Sequence, residues 1–154
     1  MTDGVKQAAD SLMIVCPACG AANRVPAARL GQLPRCGRCK SPLFAGRPLD
    51  LDAAAFDRRM KAESLPLLVD FWASWCGPCR AMAPAFTAAA QDLEPYVRLG
   101  KVDTEAEQQI AGRYAIRSIP TMILFANGRE VARTSGAMDR NTIVGWTRQQ
   151  LART

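Results

Sequence analysis

Six cysteines stand in the sequence as three pairs of identical spacing, Cys16/Cys19, Cys36/Cys39 and Cys76/Cys79, with none left over. Two intervening residues bring both sulfurs of a pair to one turn of chain, where they can ligate a metal ion or join as a disulfide. Histidine is absent. Its absence excludes Cys–His and Ser–His nucleophilic catalysis and every histidine-containing metal site. In a reducing compartment, where disulfides rarely persist, this arithmetic favours metal binding or redox catalysis over a disulfide framework.

The third pair has redox features. An apolar run, Leu67-Leu68-Val69-Asp70-Phe71-Trp72, precedes it, and a long helical pattern from about Cys76 to Glu94 follows it, with Pro84 inside. A dithiol on the first turn of a helix meets unsatisfied N–H groups and the positive end of the helix dipole, which stabilise a thiolate. Cys76 is expected to face solvent as the nucleophile, Cys79 to lie against the helix as the resolving thiol, and Pro78 to shape the backbone between them. Spacing alone leaves a metal or structural knuckle open. The flanking strand and helix, with Trp72 and Trp75, point to redox chemistry instead. Asp70 interrupts a strand that reads as buried on both faces. Burial raises a carboxyl pKa, which makes Asp70 the candidate acceptor for the Cys79 proton.

The first four cysteines form two C-x2-C pairs separated by sixteen residues, the spacing of a zinc ribbon with a tetrahedral site of four thiolates. One Zn2+ per chain, structural or regulatory, is expected, and no organic cofactor. Gly20 suits the turn after Cys19, whereas Lys40 stands where glycine would suit after Cys39. Lys40 and nearby arginines could offset the thiolate charge. Tetrahedral sulfur would also hold iron, and the same four thiols could instead form two extra redox pairs or two disulfides.

The elements that position these groups divide the chain into a tail, 1–11, a Gly-, Pro- and Arg-punctuated segment of short strands and turns, 12–45, and an α/β region, 46–154, joined at Gly46-Arg47-Pro48. A segment as short as 12–45 cannot bury enough surface to fold unaided and needs a staple, which its four cysteines could supply. Beyond it, Asp52 is a candidate N-cap for a helix carrying Phe56 and Met60. Strands are expected over 67–72, 96–102, 121–125 and 130–134, helices over 105–114 and 140–151, and a hairpin turn at Asn127-Gly128. The order implies an α/β domain with a mixed sheet.

Sixteen of the twenty basic residues are arginine, and residues 1–49 carry seven basic against two acidic side chains. A skew this modest reads as a solvated face rather than a nucleic-acid site, and Phe44 is the one aromatic in 12–45 available for base stacking. No apolar run approaches a membrane span, and the N-terminus lacks a signal-peptide pattern. A cytoplasmic protein with no membrane partner is expected.

Val69-Asp70-Phe71-Trp72-Ala73-Ser74-Trp75-Cys76-Gly77-Pro78-Cys79-Arg80 resembles the thioredoxin active-site segment. Lys101-Val102-Asp103, Tyr114 to Thr121, Asn127-Gly128 and Ser135-Gly136-Ala137 match the family in order. The resemblance implies a thioredoxin fold and a protein-disulfide reductase acting on disulfide-containing proteins and recharged by a thioredoxin reductase. It also implies a cis Pro120 facing the dithiol and an Ile119 backbone that pairs with an extended substrate. Trp75, Gly77, Pro78, Gly136 and Ala137 would form the rim, and Lys101 would modulate Asp70. With the ribbon, the chain is similar to the bacterial thioredoxin 2 group. A passive fold carrying a ribbon that grips protein or nucleic acid, and a redox-regulated chaperone, are the competing functions.

Overall fold

The computed structural model describes residues 10–154. All of the expected tail except Asp10 and Ser11 lies outside them. The N-terminal unit begins with an antiparallel pair, β1 (Ser11–Val15) and β2 (Ala22–Pro26), followed by a 3-10 turn over Ala27–Gln32. An Arg35–Pro42 bridge closes its second loop. Its small core comprises Ile14, Cys16, Val25, Leu30, Cys36 and Leu43, together with Leu65 from the far side of the chain.

The larger unit is built on a five-stranded sheet in the order β3-β5-β4-β6-β7. These strands are β3 (Leu49–Asp50), β4 (Leu67–Trp72), β5 (Arg98–Asp103), β6 (Thr121–Ala126) and β7 (Arg129–Ser135). β3 and β4 run parallel to β5, whereas β6 is antiparallel to both β4 and β7, so the sheet is mixed. The helices are α1 (Ala53–Ala62), α2 (Gly77–Leu93), α3 (Gln108–Arg113) and α4 (Arg140–Ala152). Asp52 and Asp139 cap α1 and α4 by accepting the Ala55 and Thr142 N–H groups.

Side chains alternate across the sheet. Leu67, Val69 and Phe71 pack with Phe56 of α1 and Ile110 of α3, while Leu68 packs with Met82, Phe86 and Leu93 of α2 and Ile143 of α4. By the same parity Asp70 and Trp72 fall on the α2 face, at the end of β4 that leads to Cys76. The β6–β7 turn carries Asn127 and Gly128 at φ 55° and 76°, left-handed values that this residue pair tolerates.

Two expected elements shift for identifiable reasons. β5 starts at Arg98, because Tyr96 and Val97 complete a turn onto Leu93. α3 starts at Gln108, because Asp103 Oδ1 takes the Glu105 and Ala106 N–H groups and holds that stretch as a turn.

The two units meet at a polar junction rather than a bare linker. The Arg98 guanidinium is fully buried and donates to the carbonyls of Leu43 (2.8 Å) and Val15 (3.2 Å) and to both Glu63 oxygens (3.2 and 3.1 Å). Glu63 in turn accepts the Val15 N–H, and Ser64 exchanges two hydrogen bonds with Met13. Gly46, in the linker, donates to Glu94.

Candidate active site and metal centre

β4 ends beneath the start of α2, and the residues that follow it deliver Cys76 as the helix N-cap. Its Sγ accepts the Cys79 N–H at 3.2 Å and lies 3.8 Å from the Ile119 carbonyl oxygen. Cys76 and Cys79 are joined as a disulfide. The helix N-terminus therefore presents the Cys79 N–H, with the positive end of the helix dipole, to the sulfur expected to ionise, an arrangement that favours a thiolate.

The expected exposure of Cys76 is corrected. Cys76 is 4% exposed and Cys79 2%, so the first sulfur does not stand open to solvent in this oxidised form. Cys76 and Cys79 share a small apolar cluster with Ala73, bordered by Trp72 and Ile119.

Around the dithiol, Trp75, Gly77, Pro78, Gly136 and Ala137 are exposed, Ile119 is half-buried and Pro120 is buried. The Ile119–Pro120 peptide is cis. Gly136 donates to the Pro120 carbonyl, tying the end of β7 to the cis turn. Among the described residues the Ile119 N–H donates to no backbone group. The sequence reading missed Glu105, whose Oε2 accepts the Trp75 indole N–H at 3.0 Å. Its place on a turn thirty residues away carries no local signal.

Asp70 is fully buried, and neither of its oxygens accepts a hydrogen bond from the described residues. Burial pushes its carboxyl up to about 7, partly opposed by the positive charge of Lys101. The two residues are direct partners across β4 and β5. Lys101 Nζ rests 4.6 Å from the centroid of the Trp72 ring.

In the N-terminal unit, the sulfurs of Cys16, Cys19, Cys36 and Cys39 all lie within 4.8 Å of one another. The Cys16–Cys39 and Cys19–Cys36 separations are both 3.6 Å. A tetrahedron with metal–sulfur bonds of about 2.3 Å has edges of about 3.8 Å, so the four sulfurs fit such an ion. The two knuckles repeat one pattern: Cys16 Sγ accepts the Ala18 and Cys19 N–H groups, and Cys36 Sγ those of Arg38 and Cys39. Each ends on a left-handed residue, Gly20 at φ 79° and Lys40 at 67°. Lys40 directs its ammonium to the Gly37 carbonyl at 2.9 Å. A Cβ at position 20 would lie 3.2 Å from the Arg58 guanidinium, so a cation from α1 covers the first knuckle.

Among the described residues, no helix is long and apolar enough to cross a membrane. Comparison with known proteins matches both units. The family model described as Thioredoxin matches residues 47–149, and the one described as Thioredoxin 2, N-terminal matches 15–41. Thioredoxin C-3 of Corynebacterium nephridii is 43% identical over 140 residues, covering 91% of this chain and 96% of its own. Thioredoxin 1 of Synechococcus elongatus is 42% identical over 90 residues, covering 58% of this chain and 84% of its own. Among solved structures, a mutant thioredoxin from Halobacterium salinarum superposes with a TM-score of 0.62 at 27% identity, covering 70% of this chain and 93% of that one.

Proposed function

The chain belongs to the thioredoxin family and is a thiol–disulfide oxidoreductase, and from that premise we propose how its residues divide the work. The observation that carries this reading is the Cys76–Cys79 pair on the first turn of α2, with Cys76 Sγ on the Cys79 N–H and against Ile119.

In the reduced protein the Cys76 thiolate attacks one sulfur of a substrate disulfide. A Cys76–substrate disulfide forms and the other substrate sulfur leaves as a thiolate. Asp70 takes the proton of Cys79, by way of water. The Cys79 thiolate then attacks Cys76 Sγ, the mixed disulfide breaks and the second substrate sulfur leaves. Two electrons have passed to the substrate, and the Cys76–Cys79 disulfide remains. The substrates are disulfide-containing proteins. An extended segment of each pairs with the Ile119 backbone beside Pro120, within the rim of Trp75, Gly77, Pro78, Gly136 and Ala137. Lys101 moderates the acidity of Asp70, and a thioredoxin reductase restores the dithiol.

The ribbon, residues 12–45, binds one zinc ion through Cys16, Cys19, Cys36 and Cys39, while 46–154 form the catalytic domain. Bound zinc supplies four cross-links to a unit too small to hold itself. The protein works in the cytoplasm.

Insulin reduction tests the assignment. With dithiothreitol as electron donor, the protein accelerates insulin precipitation, and Cys76→Ser abolishes the acceleration. Acceleration that survives Cys76→Ser contradicts it.

A further inference from the structure

Lys101 lies between two carboxylates. In the parallel ladders its Cα is paired with Asp50 of β3 on one side and with Asp70 of β4 on the other. Asp50 is exposed and Asp70 fully buried. Solvation alone would let the ammonium turn outward to Asp50, and Asp70 would lose its nearest positive charge. Yet among the described residues Lys101 has no carboxylate within ion-pair distance.

The ammonium instead rests 4.6 Å from the centroid of Trp72, which follows Asp70 by two residues and shares its face of the sheet. Attraction between a cation and the electron-rich ring face supplies the hold. A cleft of about 420 Å³ beside it is lined by Asp50, Asp52, Trp72, Lys101, Asp103 and Glu107. Three of its carboxylates already accept backbone N–H groups: Asp52 from Ala55, Glu107 from Ala53, and Asp103 from Glu105 and Ala106. Asp50 remains as the competitor. Other elements add little charge near Asp70: β6 places Met122 opposite it, and α2 brings the dithiol on its first turn.

We propose that Trp72 is a positioning residue, whose ring holds the Lys101 ammonium on the β4 side, away from Asp50, and thereby sets the acidity of Asp70. The same indole packs against the cluster that holds Cys76 and Cys79, so one side chain borders both the dithiol's surroundings and the cation beside Asp70. The consequence for turnover rests on Asp70 being that base.

The test is the carboxyl titration of Asp70 by carbon-13 NMR in the oxidised full-length protein. Trp72→Leu should raise the midpoint by roughly half a unit, the scale of one cation–ring contact. Trp72→Phe should raise it less. Adding Asp50→Asn to Trp72→Leu should recover part of the shift, and in a Lys101→Met background Trp72→Leu should add no rise. Water entering a loosened site would lower the midpoint, the opposite sign. Fluorinated tryptophans placed at position 72 keep the shape and weaken the ring field, so they should raise the midpoint stepwise, whether or not Trp72→Leu folds. An unmoved or lowered midpoint in the fluorinated series, or an equal rise in the Lys101→Met background, would overturn the proposal. If the midpoint rises as described while resolution is indifferent to Asp70→Asn, the positioning of Lys101 stands and Asp70 as base falls.

Discussion

Arg98 and Glu63 form an ion pair at 3.1 Å between the ribbon and the sheet, with side chains 0% and 2% exposed. The guanidinium also binds the carbonyl just before the first knuckle and one shortly after the second, those of Val15 and Leu43, and it covers the Phe44 ring at 4.6 Å. Cutting the chain at Gly46 would therefore leave Arg98 and Glu63 without their ribbon partners and uncover Leu65, which belongs to the ribbon's core.

Removing one member of a buried pair strands the other, at a cost of about 3–5 kcal/mol. Arg59, 3.7 Å from Glu63, softens this loss. Arg98→Met should lower the unfolding free energy by about 3 kcal/mol, and combining it with Glu63→Gln should cost clearly less than the sum. Urea unfolding of the two single variants and the double variant measures the coupling. Additivity within about 0.5 kcal/mol would show that the pair does not act as a unit.

Asp70 gives stability a pH dependence of known sign. Its carboxyl is raised in the fold from an ordinary 3.8 to about 7. The folded protein thus binds a proton that the unfolded chain has released between those values. Stability from this group is present below pH 4, falls as pH rises, and is lost above about 7. Asp70→Asn should match the wild type near pH 4 and exceed it by up to about 4 kcal/mol near pH 8, three pKa units converted to energy. The same change should slow resolution more than initial attack in stopped-flow traces. A stability difference independent of pH would contradict the buried carboxyl.

The second knuckle carries a lysine at a left-handed position, which costs a side-chain residue roughly 1 kcal/mol. Lys40→Gly should stabilise the metal-loaded protein by about that amount, since the hydrogen bond it forfeits is exposed. Gly20→Ala, at φ 79° and pressed against Arg58, should destabilise it. Thermal unfolding compares the three proteins, and a loss of stability in Lys40→Gly would contradict the account.

Elemental analysis of protein purified without added metal should find about one zinc per chain, with no colour from iron. The oxidised protein should then yield four thiols after chelation and unfolding, in keeping with the four cysteines outside the disulfide. Metal-free protein with two further disulfides among residues 16–39 would refute the ribbon.

Much of this was legible because it depends on local pattern. Leu67 to Trp72 reads as a buried strand from apolar continuity, Asp70 stands out within it, and Asn127-Gly128 names its own turn. The paired spacing of four cysteines has the pattern of a shared metal site, and the fold then brings their four sulfurs together. What escaped depends on partners distant in sequence. β3 is two residues long and exists through its pairing with Gly100 and Lys101. Arg98 resembles any strand arginine until Val15 and Leu43 converge on it from 83 and 55 residues away. Cys76 looks exposed at a helix start, but the disulfide and Ile119 enclose it.

The division of labour between the two active-site sulfurs is tested most directly by trapping. Each of Cys76→Ser and Cys79→Ser, fully reduced, is mixed with a disulfide-containing protein substrate and quenched in acid, and intact masses are recorded. Cys79→Ser should accumulate a covalent adduct through Cys76, because attack proceeds and resolution cannot. Cys76→Ser should form none. An adduct through Cys79 in the Cys76→Ser protein would reverse the roles of the two sulfurs.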